Sequence, residues 1–123
     1  MILVDTSLWV DHLRAGSPGL VVALQADQVC THTCVIGELA CGNLGNRQEV
    51  LELLQALPRL PAATDDELLF FIEKHQLMGR GIGYIDAHLL AATAINAARL
   101  WTRDKRLKVI AEEMNLAHLP ETH

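Results

Sequence analysis

Four acids stand out for their apolar surroundings. Asp5 closes the run Met1-Ile2-Leu3-Val4 and precedes Thr6-Ser7; Glu38 lies in Cys34-Val35-Ile36-Gly37-Glu38-Leu39-Ala40. Asp86 lies in Tyr84-Ile85-Asp86-Ala87, and Asp104 follows Leu100-Trp101-Thr102-Arg103. Asp5 and Asp104 each have a simpler role as helix N-caps, and Asp86 can favour the positive end of a helix dipole. Glu38 has less excuse, because Val35, Ile36 and Leu39 leave it little polar face. Taken jointly, the four predict one site assembled from distant segments. Two carboxylates ~4 Å apart repel by roughly 4 kcal/mol at an effective dielectric near 20, and a divalent cation offsets that. An all-carboxylate set with hydroxyls nearby suits Mg²⁺ or Mn²⁺ rather than zinc or copper. Such a site suits phosphodiester hydrolysis.

The elements that must position these acids follow from the local pattern. Residues 1–4 read as a strand buried on both faces, because Ile, Leu and Val run without polar alternation. Helices are expected at 7–14, at 17–26 behind Ser17-Pro18, and from a Thr33 cap to Gly42 or Gly45. A further helix is expected at 46–57 behind a capping box at Asn46 and Glu49, and another behind Thr64-Asp65-Asp66-Glu67 stopping at Gly79. An Ala-rich helix should span 85–98, and Asp104 should cap a helix to about Met114. Short strands are expected at 28–31, 100–102 and 117–119, with a brief extended piece between Pro58 and Pro61. Strands alternating with helices predict a parallel sheet covered on both faces, in one domain over 1–123. In such sheets the carboxyl ends of strands and the starts of the following helices share one edge, where ligands bind.

Composition bounds the rest. The chain has 123 residues, is 50% hydrophobic and 4% aromatic, so its core must be aliphatic. No run approaches the ~18 apolar residues of a membrane span, and no basic region precedes the first apolar run as in a signal peptide; a cytoplasmic protein is expected. Three cysteines, an odd number, argue against a disulfide framework. Cys30-Thr31-His32-Thr33-Cys34 lacks a second Cys pair at finger-like spacing, so buried free thiols are expected rather than zinc. The net charge of −5 disfavours a nucleic-acid partner on average. Yet Arg99, Arg103, Lys105, Arg106 and Lys108 crowd around Asp104, as either a solvated helix end or a phosphate-facing patch, which makes Arg103, Lys105, Arg106 and Lys108 candidate phosphate contacts. Gly79-Arg80-Gly81-Ile82-Gly83 lacks the strand and third glycine of a dinucleotide site. His88 is expected to be a packed or surface imidazole rather than a ligand, and Trp9 and Trp101 core or interface residues rather than base-stacking platforms.

The fragments Val4-Asp5-Thr6-Ser7, Ile36-Gly37-Glu38-Leu39, Gly81 through Ala92 and Thr102-Arg103-Asp104, in this order and spacing, resemble the PIN-domain family, and specifically the VapC-type toxins of toxin–antitoxin pairs. The resemblance spans essentially the whole chain. It implies a three-layer α/β/α sandwich with a central parallel sheet. It implies an Mg²⁺- or Mn²⁺-dependent endoribonuclease that hydrolyses RNA by metal-activated water and leaves a 5′-phosphate. Asp5, Glu38, Asp86 and Asp104 would be both catalytic residues and metal ligands, supported by Thr6 and Thr102. The implied partners are a small cognate antitoxin whose tail occupies the cleft, a second copy in a homodimer, and tRNA, rRNA or mRNA as substrate, with no membrane.

Two other classes compete. A receiver domain needs a phosphoacceptor Asp after its third strand, and residues 51–63 contain none. A PIN-like module that binds RNA or protein without cutting would not need four intact acids.

Overall fold

A computed structural model describes residues 1–120, so the last three residues of the expected 1–123 domain lie outside the described residues. The chain runs β1 (Ile2–Val4), α1 (Thr6–Ala15), α2 (Pro18–Gln25), β2 (Val29–Cys30), α3 (Thr33–Ala40), α4 (Arg47–Ala56), α5 (Asp65–Lys74), α6 (Tyr84–Ile95), β3 (Arg99–Trp101) and α7 (Lys105–Glu113). The three strands are parallel in the order β2-β1-β3, with helices flanking them. This is the expected α/β architecture around a central parallel sheet.

The first strand is central because it is the most uniformly apolar. Leu3 and Val4 are fully buried, and Leu8, Trp9, Leu20, Leu89, Leu90, Leu100 and Leu107 complete the core around them. Trp9 and Trp101 are packed, as expected. On α6, Ala87, Ala91 and Ala92 are buried, small enough to let that helix lie close to its neighbours.

Several boundaries differ from expectation, each for a local reason. Thr33 does not cap α3; His32 does, its Nδ1 accepting from the Cys34 amide at 2.9 Å while Thr33 begins the helix. Asn46 forms no capping box. It sits in the left-handed region (φ 51°) with no side-chain cap bond, and Arg47 instead reaches back to the carbonyls of Ala40 (2.6 Å) and Gly42 (3.3 Å). The α3 helix thus ends at Ala40, before either glycine. By contrast, Thr64 and Glu67 make the expected reciprocal box on α5. That helix ends at Lys74 rather than Gly79, because Gln76 turns the chain at φ 51°. The α6 helix ends at Ile95 rather than Ala98, and Ala97 turns at φ 52°. The strand expected at 117–119 reduces to one bridge between Ala117 and Leu100, and the segment between the prolines to one bridge between Arg59 and Thr31.

Candidate functional site

Strand register builds the site's centre. Val4 pairs with Trp101, so the next residues, Asp5 and Thr102, leave the sheet side by side. The Asp5 amide donates to the Trp101 carbonyl at 2.9 Å, and Thr102 Oγ1 donates to Asp5 Oδ2 at 2.7 Å. Ser7 Oγ donates to the same oxygen at 3.1 Å, while Asp5 Oδ1 caps α1 through the Thr6 amide at 2.7 Å. Three donors therefore hold a carboxylate that is only 7% exposed. Asp5 is both helix cap and site residue; the two roles use different oxygens.

The other acids are each held by one oxygen. Thr6 Oγ1 donates to Glu38 Oε1 at 2.7 Å, tying α1 to α3. The Gly83 amide donates to Asp86 Oδ2 at 3.2 Å, and the Leu107 amide to Asp104 Oδ1 at 2.9 Å, so Asp104 does cap α7. The Asp104 amide in turn donates to Thr102 Oγ1 at 3.1 Å. Among the described residues the second oxygen of Glu38, Asp86 and Asp104 receives no hydrogen bond. Those three oxygens are the ones left to bind something else.

The charges of the other acids are felt at Asp86. Burial pushes the Asp86 carboxyl above its ordinary range, and the charges of Asp5, Asp104 and Glu38 push it the same way against the lowering effect of the Gly83 amide. A group of oxygen donors that already repel one another fits a hard divalent cation. Glu38 and Asp104 are more exposed than their apolar neighbours suggested, because α3 buries Val35 and Leu39 while Glu38 faces out.

The basic cluster is less uniform than its spacing implied. Arg103 is ion-paired with Asp11 at 2.7 Å, and Arg106 lies across Gly81, where a Cβ would come within 2.6 Å of its side chain. Arg99 donates to the Ala117 carbonyl at 3.4 Å. Lys105 and Lys108 are exposed, and no ion pair engages them among the described residues. All three cysteines are free, as expected, but only Cys30 is buried and Cys41 is exposed.

Two residues were not singled out from the chain. Ser7 serves Asp5 directly, and its position two residues after the acid, with a hydroxyl, was the available signal. Asp11 holds Arg103, and nothing local announced that pairing across 92 residues.

Architecture and site together define an α/β protein in which Thr102 joins Asp5 to Asp104 at the carboxyl edge of a parallel sheet and Thr6 holds Glu38 beside them. The chain belongs to the PIN domain family, whose profile matches residues 2–113. It is 48% identical over 118 residues to the protein named Ribonuclease VapC32 in two strains of Mycobacterium tuberculosis, CDC 1551 / Oshkosh and H37Rv, covering 95% of each chain. Among solved structures it resembles FitAB bound to the IR36 DNA fragment, with TM-score 0.63, 17% identity and full coverage of both chains. It also resembles PAE2754 from Pyrobaculum aerophilum, with TM-score 0.60, 16% identity, and coverage of 89% of this chain and 78% of that one. FitAcB from Neisseria gonorrhoeae gives TM-score 0.59 and 20% identity, covering 91% of this chain and 94% of the other. At these identities the structural likeness establishes the fold.

Proposed function

We propose that this chain is a divalent-metal-dependent endoribonuclease, the toxin of a VapBC-type toxin–antitoxin pair, with Asp5, Glu38, Asp86 and Asp104 as its catalytic and metal-binding acids. The observation that carries the reading is Thr102, whose hydroxyl donates to Asp5 Oδ2 at 2.7 Å and accepts from the Asp104 amide at 3.1 Å, joining the first acid to the last; burial first, and then the charges of Asp5, Asp104 and Glu38, raise the Asp86 carboxyl in support. The 48% identity to a protein named as a ribonuclease supports it.

A bound Mg²⁺ or Mn²⁺ supplies charge neutralisation, polarises the phosphoryl group and activates water. The protein's own part is to hold the acids in place before substrate arrives. Thr6 fixes Glu38 against α1, and Thr102 and Ser7 fix Asp5. The Gly83 and Leu107 amides orient Asp86 and Asp104 so that one oxygen of each stays available. Lys105 and Lys108 lie on the first turns of α7, next to Asp104, where a phosphate backbone entering the cleft would meet them. A groove of about 490 Å³ runs from Thr6 and Glu38 past Val10, Leu13, Leu39 and Val50. Its apolar walls and acidic end suit an antitoxin segment with apolar side chains and one basic residue. Exposed Leu69, Phe70 and Ile95 on α5 and α6 suit the second copy of a homodimer. Among the described residues no helix is long and apolar enough to cross a membrane.

The test is to incubate wild type and Asp5→Ala with total cellular RNA, with Mg²⁺ or with EDTA, and map the cut ends. Cleavage with 5′-phosphate ends by wild type in Mg²⁺ alone is expected. Cleavage that survives EDTA, or equal cleavage by Asp5→Ala, overturns the reading. Metal binding and RNA binding without any cleavage would favour the non-catalytic module.

A further inference from the structure

Where α3 packs against α6, His32, Cys34 and His88 offer one donor atom each, all within 4.8 Å of one another. His32 belongs to the turn that starts α3, Cys34 to the first turn of α3, and His88 to α6. Neither imidazole is explained by packing alone. His32 is 0% and His88 9% exposed, and His32 Nε2 and His88 Nδ1 are buried without a hydrogen-bond partner among the described residues. A buried polar nitrogen left unpartnered is costly, and two such atoms in one cluster call for a shared ligand. The ring centroids stand 5.9 Å apart and tilted by 48°, an arrangement without stacking. Tyr84 closes the other side of His88, edge to face at 4.9 Å.

We propose that His32 Nε2, Cys34 Sγ and His88 Nδ1 form a second metal site, distinct from the acid cleft and selective for zinc. Two imidazoles and a thiolate are borderline-soft donors, which favour Zn²⁺ over the hard ions suited to the carboxylates. Zinc–nitrogen and zinc–sulfur bonds of about 2.0–2.3 Å require donors closer than 4.8 Å, so the three close in by up to ~1 Å around the ion. A solvent molecule on the partly open Cys34 side completes a tetrahedron.

Binding moves two protons. Cys34 releases its thiol proton to solvent; desolvation and then Glu38 hold that thiol above its ordinary range, so the metal must displace the proton. His32 is neutral near pH 7, its pKa lowered to about 4 by burial and by His88 and Arg59. Because Nδ1 accepts from the Cys34 amide, its single proton sits on Nε2. Coordination shifts that proton to Nδ1, which then no longer accepts, so the hydrogen bond from the Cys34 amide is lost. The ion would tie α3, which carries Glu38, to α6, which carries Asp86.

The experiment is a titration of the full chain with Co²⁺, as a spectroscopic stand-in for Zn²⁺, in excess Mg²⁺ to fill the acid cleft. The expected result is a thiolate-to-cobalt charge-transfer band saturating at one ion per chain, displaced by Zn²⁺. Cys34→Ser should abolish the band, and His88→Gln should weaken binding at least tenfold. Cys41→Ser and Asp5→Ala should leave it unchanged, which separates this site from both the exposed thiol and the acids. On adding Zn²⁺ the Cys34 amide resonance should shift and lose hydrogen-exchange protection. Circular dichroism of Cys34→Ser and His88→Gln confirms that each is folded, and either variant alone suffices. No band in wild type, a band retained in Cys34→Ser, or a band lost in Asp5→Ala overturns the proposal.

Discussion

Thr102 Oγ1 donates to Asp5 Oδ2 at 2.7 Å, joining residues 97 positions apart at the carboxyl edge of the sheet. The bond exists because β1 and β3 are adjacent and in register, with Val4 against Trp101. Thr102 also accepts from the Asp104 amide, so one hydroxyl links the first acid to the last.

Thr102→Val keeps the shape and removes both bonds. Hydrogen bonds to charged groups contribute about 1.5–3 kcal/mol, and outer partners of ligating groups typically matter 10–100-fold in affinity or activity. We expect a folded protein with a lower melting temperature and RNA cleavage reduced roughly tenfold or more. Cleavage equal to wild type under limiting Mg²⁺ would remove Thr102 from the site.

Asp86→Asn should stabilise the metal-free protein. The folded-state carboxyl is raised by desolvation and by the three neighbouring acids, so the native state holds this proton longer than the unfolded chain does. Stability therefore falls as pH rises through the span just above the ordinary carboxylate value, and the penalty persists at neutral pH. Asn can still accept from the Gly83 amide. In EDTA at pH 7 the variant should melt roughly 2–4 °C higher, and Mn²⁺ should stabilise it less than wild type. A variant that melts lower in EDTA, with equal Mn²⁺ stabilisation of both, counts against a shared site.

His32 predicts acid lability. Its folded pKa of about 4 lies below the ordinary imidazole value of 6.5, because burial disfavours the charged ring. The unfolded chain therefore binds the proton first, and stability is lost as pH falls from about 6.5 towards 4. His32→Asn retains a cap acceptor and removes the titration. The variant should show a flatter stability profile across that window, by on the order of 2 kcal/mol in denaturant melts run in EDTA. Parallel profiles for the two proteins would sink the assignment.

The basic cluster should act unevenly on RNA. Lys105 and Lys108 are exposed and outside any ion pair among the described residues, whereas Arg103 is held by Asp11 and Arg106 lies over Gly81. Replacing Lys105 and Lys108 with Gln should lower the slope of log affinity against log salt by about 0.7 each for a single strand. Arg103→Gln and Arg106→Gln should lower it less. Binding measured on the cleavage-deficient Asp5→Ala background gives the slopes, and a slope unchanged by both Lys substitutions returns that face to ordinary solvated surface.

Much of this was legible locally. An unbroken Ile-Leu-Val run bounded by an acid and hydroxyls reads as a strand buried on both faces, and a carboxylate after it falls at the sheet's ligand edge. The Thr64–Glu67 capping box and the Asp104 cap depend on neighbours three residues away, so the chain alone specifies them. Asp5, Glu38 and Asp86 were visible because each interrupts apolar sequence, and Asp104 because it closely follows the apolar strand end Leu100-Trp101. Where the local signal failed, a distant group won. Asn46 yielded its capping role to a left-handed turn, while Arg47 satisfied the end of α3. His32 took the cap from Thr33 because it is the residue the core buries there.

Tertiary structure alone decided which donors serve which acid. Thr102 reaches Asp5, Thr6 turns to Glu38, and Arg103 goes to Asp11, all through strand order and helix placement that no local spacing encodes, whereas Ser7 serves Asp5 from two residues away. The meeting of His32, Cys34 and His88 has the same origin. Two of them lie in one turn and the third lies far along the chain, brought to them by the packing of α6 against α3. Residue types and local pattern determine which elements form and which groups can do chemistry; long-range register and packing determine which of those groups face one another.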